Sequence, residues 1–232
     1  MVGENQGKTI LKNLSESFNE TYFERGISNE VSDYQNYRWL PGLTIPFAEE
    51  IIKLLHLEIG DKVLDYGCAK GYLTFALRSL GINALGCDIS RYAITNTHQG
   101  IKKYTSLIKE NEDLLFEDNH FDHAVAKDVF EHIPYVSLKK VLNELSRVSK
   151  KLFVIVPLGD GKRYTIPSYE KDVTHIHRQP VEWWNKIFED NGWKIKDFFY
   201  IIPGMKDTYS RYHKGNGFFI LNQENERDNK IK

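Results

Sequence analysis

The segment Val63-Leu64-Asp65-Tyr66-Gly67-Cys68-Ala69-Lys70-Gly71-Tyr72-Leu73-Thr74 runs from apolar residues into an acid, through two glycines and into a helical pattern. That order predicts strand, tight loop and helix, a corner where the unpaired N–H groups of a helix start face a ligand. Gly67 and Gly71 permit backbone geometry, or a close approach, that a side chain would block. A dinucleotide-binding corner wants glycine at three positions, Gly-x-Gly-x-x-Gly, and here those positions hold Gly67, Ala69 and Tyr72. Tyrosine at the third fits poorly between helix and strand, and the Asp65 carboxylate would repel a pyrophosphate. The Gly-Lys-Ser/Thr loop that cradles phosphates is absent as well. The corner suits a ligand with an adenosine and a cationic amino-acid end, a description that S-adenosylmethionine meets, with Asp65 attracting its ammonium. Asp and Gly are also ordinary turn residues at strand ends, so the corner alone is a weak signal.

Three further blocks strengthen it. Ile82-Asn83-Ala84-Leu85-Gly86-Cys87-Asp88-Ile89-Ser90 reads as a second strand ending in an acid, at about the spacing where a carboxylate grips ribose hydroxyls. Asn111 to Asp122 forms an acidic stretch, and Ala124-Val125-Ala126-Lys127-Asp128-Val129-Phe130-Glu131-His132-Ile133-Pro134 follows it. Together with the glycine loop, over roughly residues 60 to 220, these blocks resemble the class I S-adenosylmethionine-dependent methyltransferases. The last of them is similar to the family's Leu-Glu-His-Ile/Val-Pro signature, with Phe130 in place of leucine. The resemblance implies an α/β fold, a Rossmann-like seven-stranded, mostly parallel sheet with helices on both faces in a single domain. It implies S-adenosyl-L-methionine as cofactor, held by Asp65, Gly67, Cys68, Ala69, Gly71, Asp88 and Ile89, with Glu110 or Asn111 at the adenine. Lys127 and Asp128 would border the methionyl end, mostly through backbone. The departure is Ala69, where many members carry glycine; with no pyrophosphate to fit, its methyl is expected to be tolerated.

Methyl transfer asks a protein to place a nucleophile in line with the sulfonium methyl and, if that nucleophile is protonated, to remove its proton. Among eight histidines, His132 closes the Glu131–Pro134 turn beside the expected methyl site. His175 lies in Asp172-Val173-Thr174-His175-Ile176-His177, a loop that in the family often faces substrate. These two are the candidate bases, with Asp172 placed to orient the His175 ring. His132 has an equally plain reading as a loop-fixing residue. Asp172, His175 and His177 could also be read as metal ligands, but no further ligand at diagnostic spacing accompanies them, and no metal is expected. Trp184, with Ile187 and Phe188, reads as helical core; Trp183 is either core or an aromatic platform.

The elements that must position these residues alternate: strands at 62–66, 82–87, 106–109, 123–127 and 152–157, with helices at 71–80, 91–104 and 137–149. Such alternation implies parallel strands joined by crossover helices. A helix at 180–191 and closing strands at 193–202 and 217–222 complete the pattern. Phe47, Ile51, Leu54 and Leu55 predict a covering helix before the first strand, with Pro46 in its opening turn. Residues 1–43, rich in tyrosine and tryptophan, read as an aromatic cap or lid. Residues 44–222 read as the methyltransferase domain and 223–232 as a polar tail. The loop 158–180 is a second candidate lid.

Lysine and arginine number 31 against 32 aspartate and glutamate, a formal net charge of −1 with signs mixed along the chain. No electrostatic footprint for nucleic acid follows, and no apolar run reaches membrane-spanning length. A cytoplasmic protein with Cys68 and Cys87 reduced is expected; oligomeric state is not legible. The expected function is transfer of a methyl group to an oxygen or nitrogen of a small molecule or glycan-type acceptor, since the chain also looks like methyltransferases of surface-glycan and natural-product pathways. The alternatives are a non-catalytic S-adenosylmethionine-binding module and a nicotinamide-dependent oxidoreductase, the latter disfavoured by Ala69 and Tyr72.

Overall fold

The computed structural model describes residues 14–110 and 112–223. Most of the residue 1–43 segment is therefore visible, but Asn111 and the tail beyond residue 223 lie outside the described residues. The order of the main elements is α1 (Leu14–Ser17), α2 (Glu20–Arg25), α3 (Pro41–Leu55), β1 (Lys62–Tyr66), α4 (Tyr72–Ser79), β2 (Asn83–Asp88), α5 (Arg91–Thr95) and β3 (Thr105–Leu107). Then come β4 (His123–Lys127), α6 (Tyr135–Val148), β5 (Lys151–Pro157), α7 (Val181–Glu189), β6 (Trp193–Phe199) and β7 (Asn216–Gln223). The strands form one seven-stranded sheet in the order β3-β2-β1-β4-β5-β7-β6. The first five are parallel; β7 runs antiparallel to both β5 and β6. The expected seven-stranded, mostly parallel α/β fold is the one observed.

The central strands are apolar runs because both of their faces are covered. Leu64, Tyr66, Ala124, Ala126, Val154 and Val156 point to a face packed by Leu138, Leu142 and Leu145 of α6 and by Trp184 and Phe188 of α7. Val63, Val125, Phe153 and Ile155 point the other way, onto Phe47, Ile51 and Leu55 of α3 and Ala76 and Leu77 of α4. Trp184 is core. Trp183 sits at the edge of that core, its ring 5.0 Å from His177 and 6.1 Å from Tyr135.

Two expected elements differ. The covering helix starts at Pro41, whose missing N–H costs nothing in a first turn, so Pro46 stands inside the helix and not in its opening turn. The helix expected over 91–104 stops at Thr95, and a 3₁₀ turn covers Gln99–Tyr104. Here Asn96 Nδ2 donates to the Tyr92 carbonyl and Thr97 Oγ1 to the Ile94 carbonyl, local side-chain bonds that compete with helical continuation. His98 N–H then donates to the Lys70 carbonyl, which ties the break to the glycine loop.

Gly67 leaves β1 with φ +77°, and a Cβ built on it would stand 2.4 Å from Cγ2 of Val129. Gly67→Ala is therefore expected to carry left-handed strain of about 1–2 kcal/mol and an overpacking cost of roughly 1–3 kcal/mol. Urea unfolding should show a midpoint lowered accordingly, with the slope unchanged.

Candidate functional site: the cofactor crevice and a buried histidine cluster

Parallel topology brings the carboxyl ends of β1, β2 and β4 to one edge, where ligands of open α/β sheets bind. The loop after β1 is closed by Gly67 and Cys68 N–H groups donating to the Cys87 carbonyl at 2.8 and 3.0 Å, and by Gly71 N–H donating to the Cys68 carbonyl at 2.8 Å. Ala69 takes φ +49°. The departure from glycine is thus a matter of backbone conformation more than of space, because this left-handed region is where glycine alone goes without strain. Its methyl packs against the cluster of Tyr22, Phe23 and Ala93.

Asp88 receives the Ala69 N–H on Oδ2 and the Ser90 N–H on Oδ1, each at 2.7 Å. Asp65 Oδ2 accepts from Thr74 Oγ1 at 2.6 Å, so the first turn of α4 is fixed to the end of β1. Burial pushes both carboxyls up to about 6, against the lowering effect of these hydrogen bonds. Beyond Asp88, a cavity of about 60 Å³ is lined by Tyr66, Ile89, Ile108, Glu110, Ile133 and Leu14, among others. The three isoleucines together with Glu110 suit a planar ring with an amino group. Glu110 Oε1 also accepts the Ser15 N–H at 2.6 Å, so α1 closes this end of the crevice.

Acids therefore stand at three points along the crevice, and the loop offers no compensating cation toward it. Lys70 is buried and turned away, its ammonium bonded to Glu24 and to the Tyr37 carbonyl at 2.8 Å. That arrangement opposes a pyrophosphate and fits S-adenosylmethionine. We propose Asp65 for its ammonium, Asp88 for its ribose hydroxyls, and Ile89 with Glu110 for its adenine. Of the other expected cofactor residues, Gly67, Ala69 and Gly71 form the loop itself. Cys68 serves it through backbone, its side chain tucked under the loop near Gly86. Cys87 meets the loop through its carbonyl, while its side chain is fully buried in the core face. Both cysteines are free.

Lys127 departs from the expectation of a backbone role. Its ammonium donates to Asp128 Oδ2 at 2.6 Å, and Asp128 Oδ1 is taken by Lys206. Burial alone would raise the Asp128 carboxyl, but the two ammonium groups outweigh it and hold it below the usual range. Lys206 also donates to Tyr169 Oη at 2.9 Å, and Tyr169 Oη donates to Asn216 Oδ1 at 2.7 Å. Nothing in the linear sequence pairs position 206 with 128.

The two candidate bases converge. His132 and His175 ring centroids stand 4.7 Å apart. His132 Nδ1 is 2.8 Å from Thr174 Oγ1, and His175 Nδ1 is 2.9 Å from the Tyr169 carbonyl oxygen. Asp172 does not orient the His175 ring as expected: its Oδ2 lies 3.8 Å from Nε2, too far for a hydrogen bond, and accepts from Tyr22 Oη at 2.7 Å. His177 turns away to the Ile133 carbonyl at 2.7 Å. In its place the fold brings Glu131, fully buried, with Oε1 4.0 Å from His175 Nε2. Burial, then His175, lowers His132 to about 4; burial lowers His175 and raises Glu131.

Residues 64–154 match a family model described as a methyltransferase domain. An uncharacterized protein of Methanocaldococcus jannaschii is 28% identical over 186 residues, 76% of this chain and 77% of that relative. The O-antigen chain terminator bifunctional methyltransferase/kinase WbdD of Escherichia coli is 24% identical over 135 residues, 50% of this chain but 18% of its own length. Magnesium protoporphyrin IX methyltransferase (ChlM) from Synechocystis PCC 6803, solved with bound SAM, superposes with a TM-score of 0.59 at 16% identity, covering 91% of this chain and 97% of that one. A methyltransferase domain over residues 64–154, in a sheet of this order with an acid-lined crevice, supports S-adenosylmethionine-dependent methyltransferase activity with S-adenosylmethionine as the cofactor.

Because the cofactor is cationic and its ribose donates hydrogen bonds, it draws on the ionised forms of Asp65 and Asp88, and protonation competes with it. Affinity should be flat above about pH 7 and fall below pH 6 by up to about tenfold per pH unit for each carboxylate. Asp88→Ala should cost on the order of 1.5–3 kcal/mol of binding at pH 7.5 and remove part of that slope. Calorimetric titration from pH 5 to 8 checks both.

Proposed function

We propose that the enzyme methylates a hydroxyl oxygen of a small molecule or glycan-type acceptor, with His132 and His175 handling the acceptor's proton. The observation that carries this reading is the protonation pattern of the two rings. A carbonyl oxygen only accepts, so His175 Nδ1 carries the hydrogen it gives to Tyr169. Thr174 Oγ1 spends its own hydrogen on Asp172 Oδ1 at 2.5 Å, so His132 Nδ1 must donate to it. Both rings therefore present Nε2 as a lone pair, in the form a base needs.

When bound, S-adenosylmethionine supplies an electrophilic methyl carbon on sulfonium. The protein's part is to hold the acceptor, keep water out and accept or steer the proton. Exclusion of water falls to two segments that bond each other: Tyr22 Oη to Asp172, and Val173 N–H to the Val31 carbonyl at 3.2 Å. The described part of the segment 1–43, from residue 14 on, would thus act as a lid together with the loop 158–180, over the domain 44–222. A glycan-type acceptor is favoured by the likeness to WbdD, a terminator of O-antigen chains, and by the aromatic character of both segments. Nitrogen acceptors remain the second reading; an amine binds already deprotonated and needs positioning more than a base. No helix among the described residues is long and apolar enough to cross a membrane, and the two free thiols fit the cytoplasmic setting we propose.

His175→Ala is expected to lower turnover by roughly a hundredfold or more while cofactor affinity stays nearly intact. The assay is transfer of labelled methyl to a panel of hydroxylated metabolites and glycans, run beside calorimetry with S-adenosylhomocysteine. Full activity in the variant with any identified acceptor would remove His175 from the chemistry.

A further inference from the structure

The same cluster holds more acceptors than its environment answers. Glu131 and His132 lie on the 3₁₀ turn Phe130–His132 at the end of β4, and His175 arrives from the loop after β5. The loop is pinned to the turn by Ile176 N–H, which donates to the Glu131 carbonyl at 2.9 Å. One ligand atom from each of Glu131, His132 and His175 lies within 4.8 Å of the others. The residues are 1%, 7% and 9% exposed. Both imidazoles present a lone pair at Nε2, as argued above, and Glu131 Oε2 is buried with no hydrogen-bond partner among the described residues. The cations nearest in the fold, Lys127 and Lys206, are paired with Asp128. Lone pairs gathered in a buried space are costly unless a proton or another positive centre sits among them, and burial already raises Glu131 toward its protonated form.

We propose that Glu131, His132 and His175 form a binding site for a first-row divalent transition-metal cation. Two imidazoles with one carboxylate favour manganese, iron or zinc over calcium or magnesium, which take all-oxygen sets. The hydrogen bonds from Nδ1 of each ring to Thr174 and Tyr169 are the outer contacts that orient metal-bound histidines and fix their tautomer. Asp172 Oδ2, 3.8 Å from His175 Nε2, stands at the rim as a further oxygen. Ligand atoms around such a cation stand about 3–4 Å apart for bonds near 2.1 Å. The cluster must therefore draw in by about an ångström on loading, a movement within reach of side-chain rotation.

Three protein ligands leave a position open. The proposed reading of the function gives that position a use, and to this extent the inference rests on it. A hydroxyl oxygen of the acceptor would take the place of a bound water; its O–H bond breaks with the electron pair kept on oxygen, and the proton passes to water. The cation lowers the pKa of that hydroxyl, so His132 and His175 would act through the metal they hold.

Chelator-stripped protein is titrated with Mn²⁺, following loss of the free-ion EPR signal, and the bound ion is probed by pulsed EPR for coupling to imidazole nitrogen. One equivalent bound, with nitrogen coupling, is expected. Glu131→Gln and His175→Gln should each weaken Mn²⁺ binding by at least roughly tenfold, whereas His177→Gln should leave it unchanged. No stoichiometric binding to the wild-type protein, or bound Mn²⁺ without nitrogen coupling, overturns the proposal whether or not the variants fold. Binding unchanged in folded Glu131→Gln and His175→Gln overturns it too. Calorimetry with S-adenosylmethionine on the same samples separates the two readings: a wild-type protein that binds Mn²⁺ in this way but gives no methyl transfer to any hydroxyl acceptor keeps the metal site and loses the proposed function.

Discussion

Asp88 joins the two loops on which the whole crevice depends. Its carboxylate accepts one N–H from the loop after β1 and one from the residue that opens α5. Neither loop has a strong local reason to hold its shape, since Ala69 stands in a left-handed conformation that an alanine resists. The carboxylate supplies that reason by satisfying two buried donors at once. From the same point order passes outward. Ser90 accepts from Ala93 N–H to cap α5, and its hydroxyl donates to the Phe18 carbonyl, which seats the amino-terminal segment on the crevice. The carboxylate proposed for ribose thereby also builds the wall around that position.

The amino-terminal segment is held at three further places by polar contacts spread along the crevice. Ser15 meets Glu110 at the adenine end, Glu24 meets Lys70 and the Tyr92 hydroxyl at the glycine loop, and Tyr22 meets Asp172 at the acceptor end. Between them Phe18, Tyr22, Phe23, Tyr34 and Tyr37 pack edge to face and stacked, an arrangement that suits their ring quadrupoles. Release of the segment would expose aromatic surface and leave Lys70 with a buried charge. The segment is therefore part of the fold's stability.

Charge is segregated along the strand ends. Asp65, Asp88 and Glu110 make the cofactor side acidic and leave room for a cation. The Lys127–Asp128–Lys206 group, carried on left-handed residues at 128 and 206, sets two ammonium groups on one carboxylate and keeps one positive charge in excess. The Glu131–His132–His175 cluster is rich in acceptors and poor in donors. Three electrostatic environments thus stand along one crevice, and the middle one holds β4 to the segment before β7.

Much of this was legible in the chain. The strands at 62–66 and 123–127 coincide with their expected bounds, because a run of apolar residues buried on both faces ends abruptly at an acid or a lysine. Asp65, Gly67 and Asp88 were readable because strand-end acids and turn glycines are local signals, and Glu110 through the family resemblance. The break in the helix after Arg91 was not, since it turns on hydrogen bonds of Asn96 and Thr97 that compete almost evenly with helix. Lys70 turning toward Glu24, Lys206 reaching Asp128, and Glu131 standing beside His175 with no hydrogen bond to it were not legible either. Each joins residues tens of positions apart, and which partner wins depends on the direction a side chain takes from a backbone position that only packing defines. Local chemistry determined the elements and the cofactor's acids; the tertiary structure decided how charges pair and which lone pairs face one another, because long-range contacts leave no periodicity in the chain.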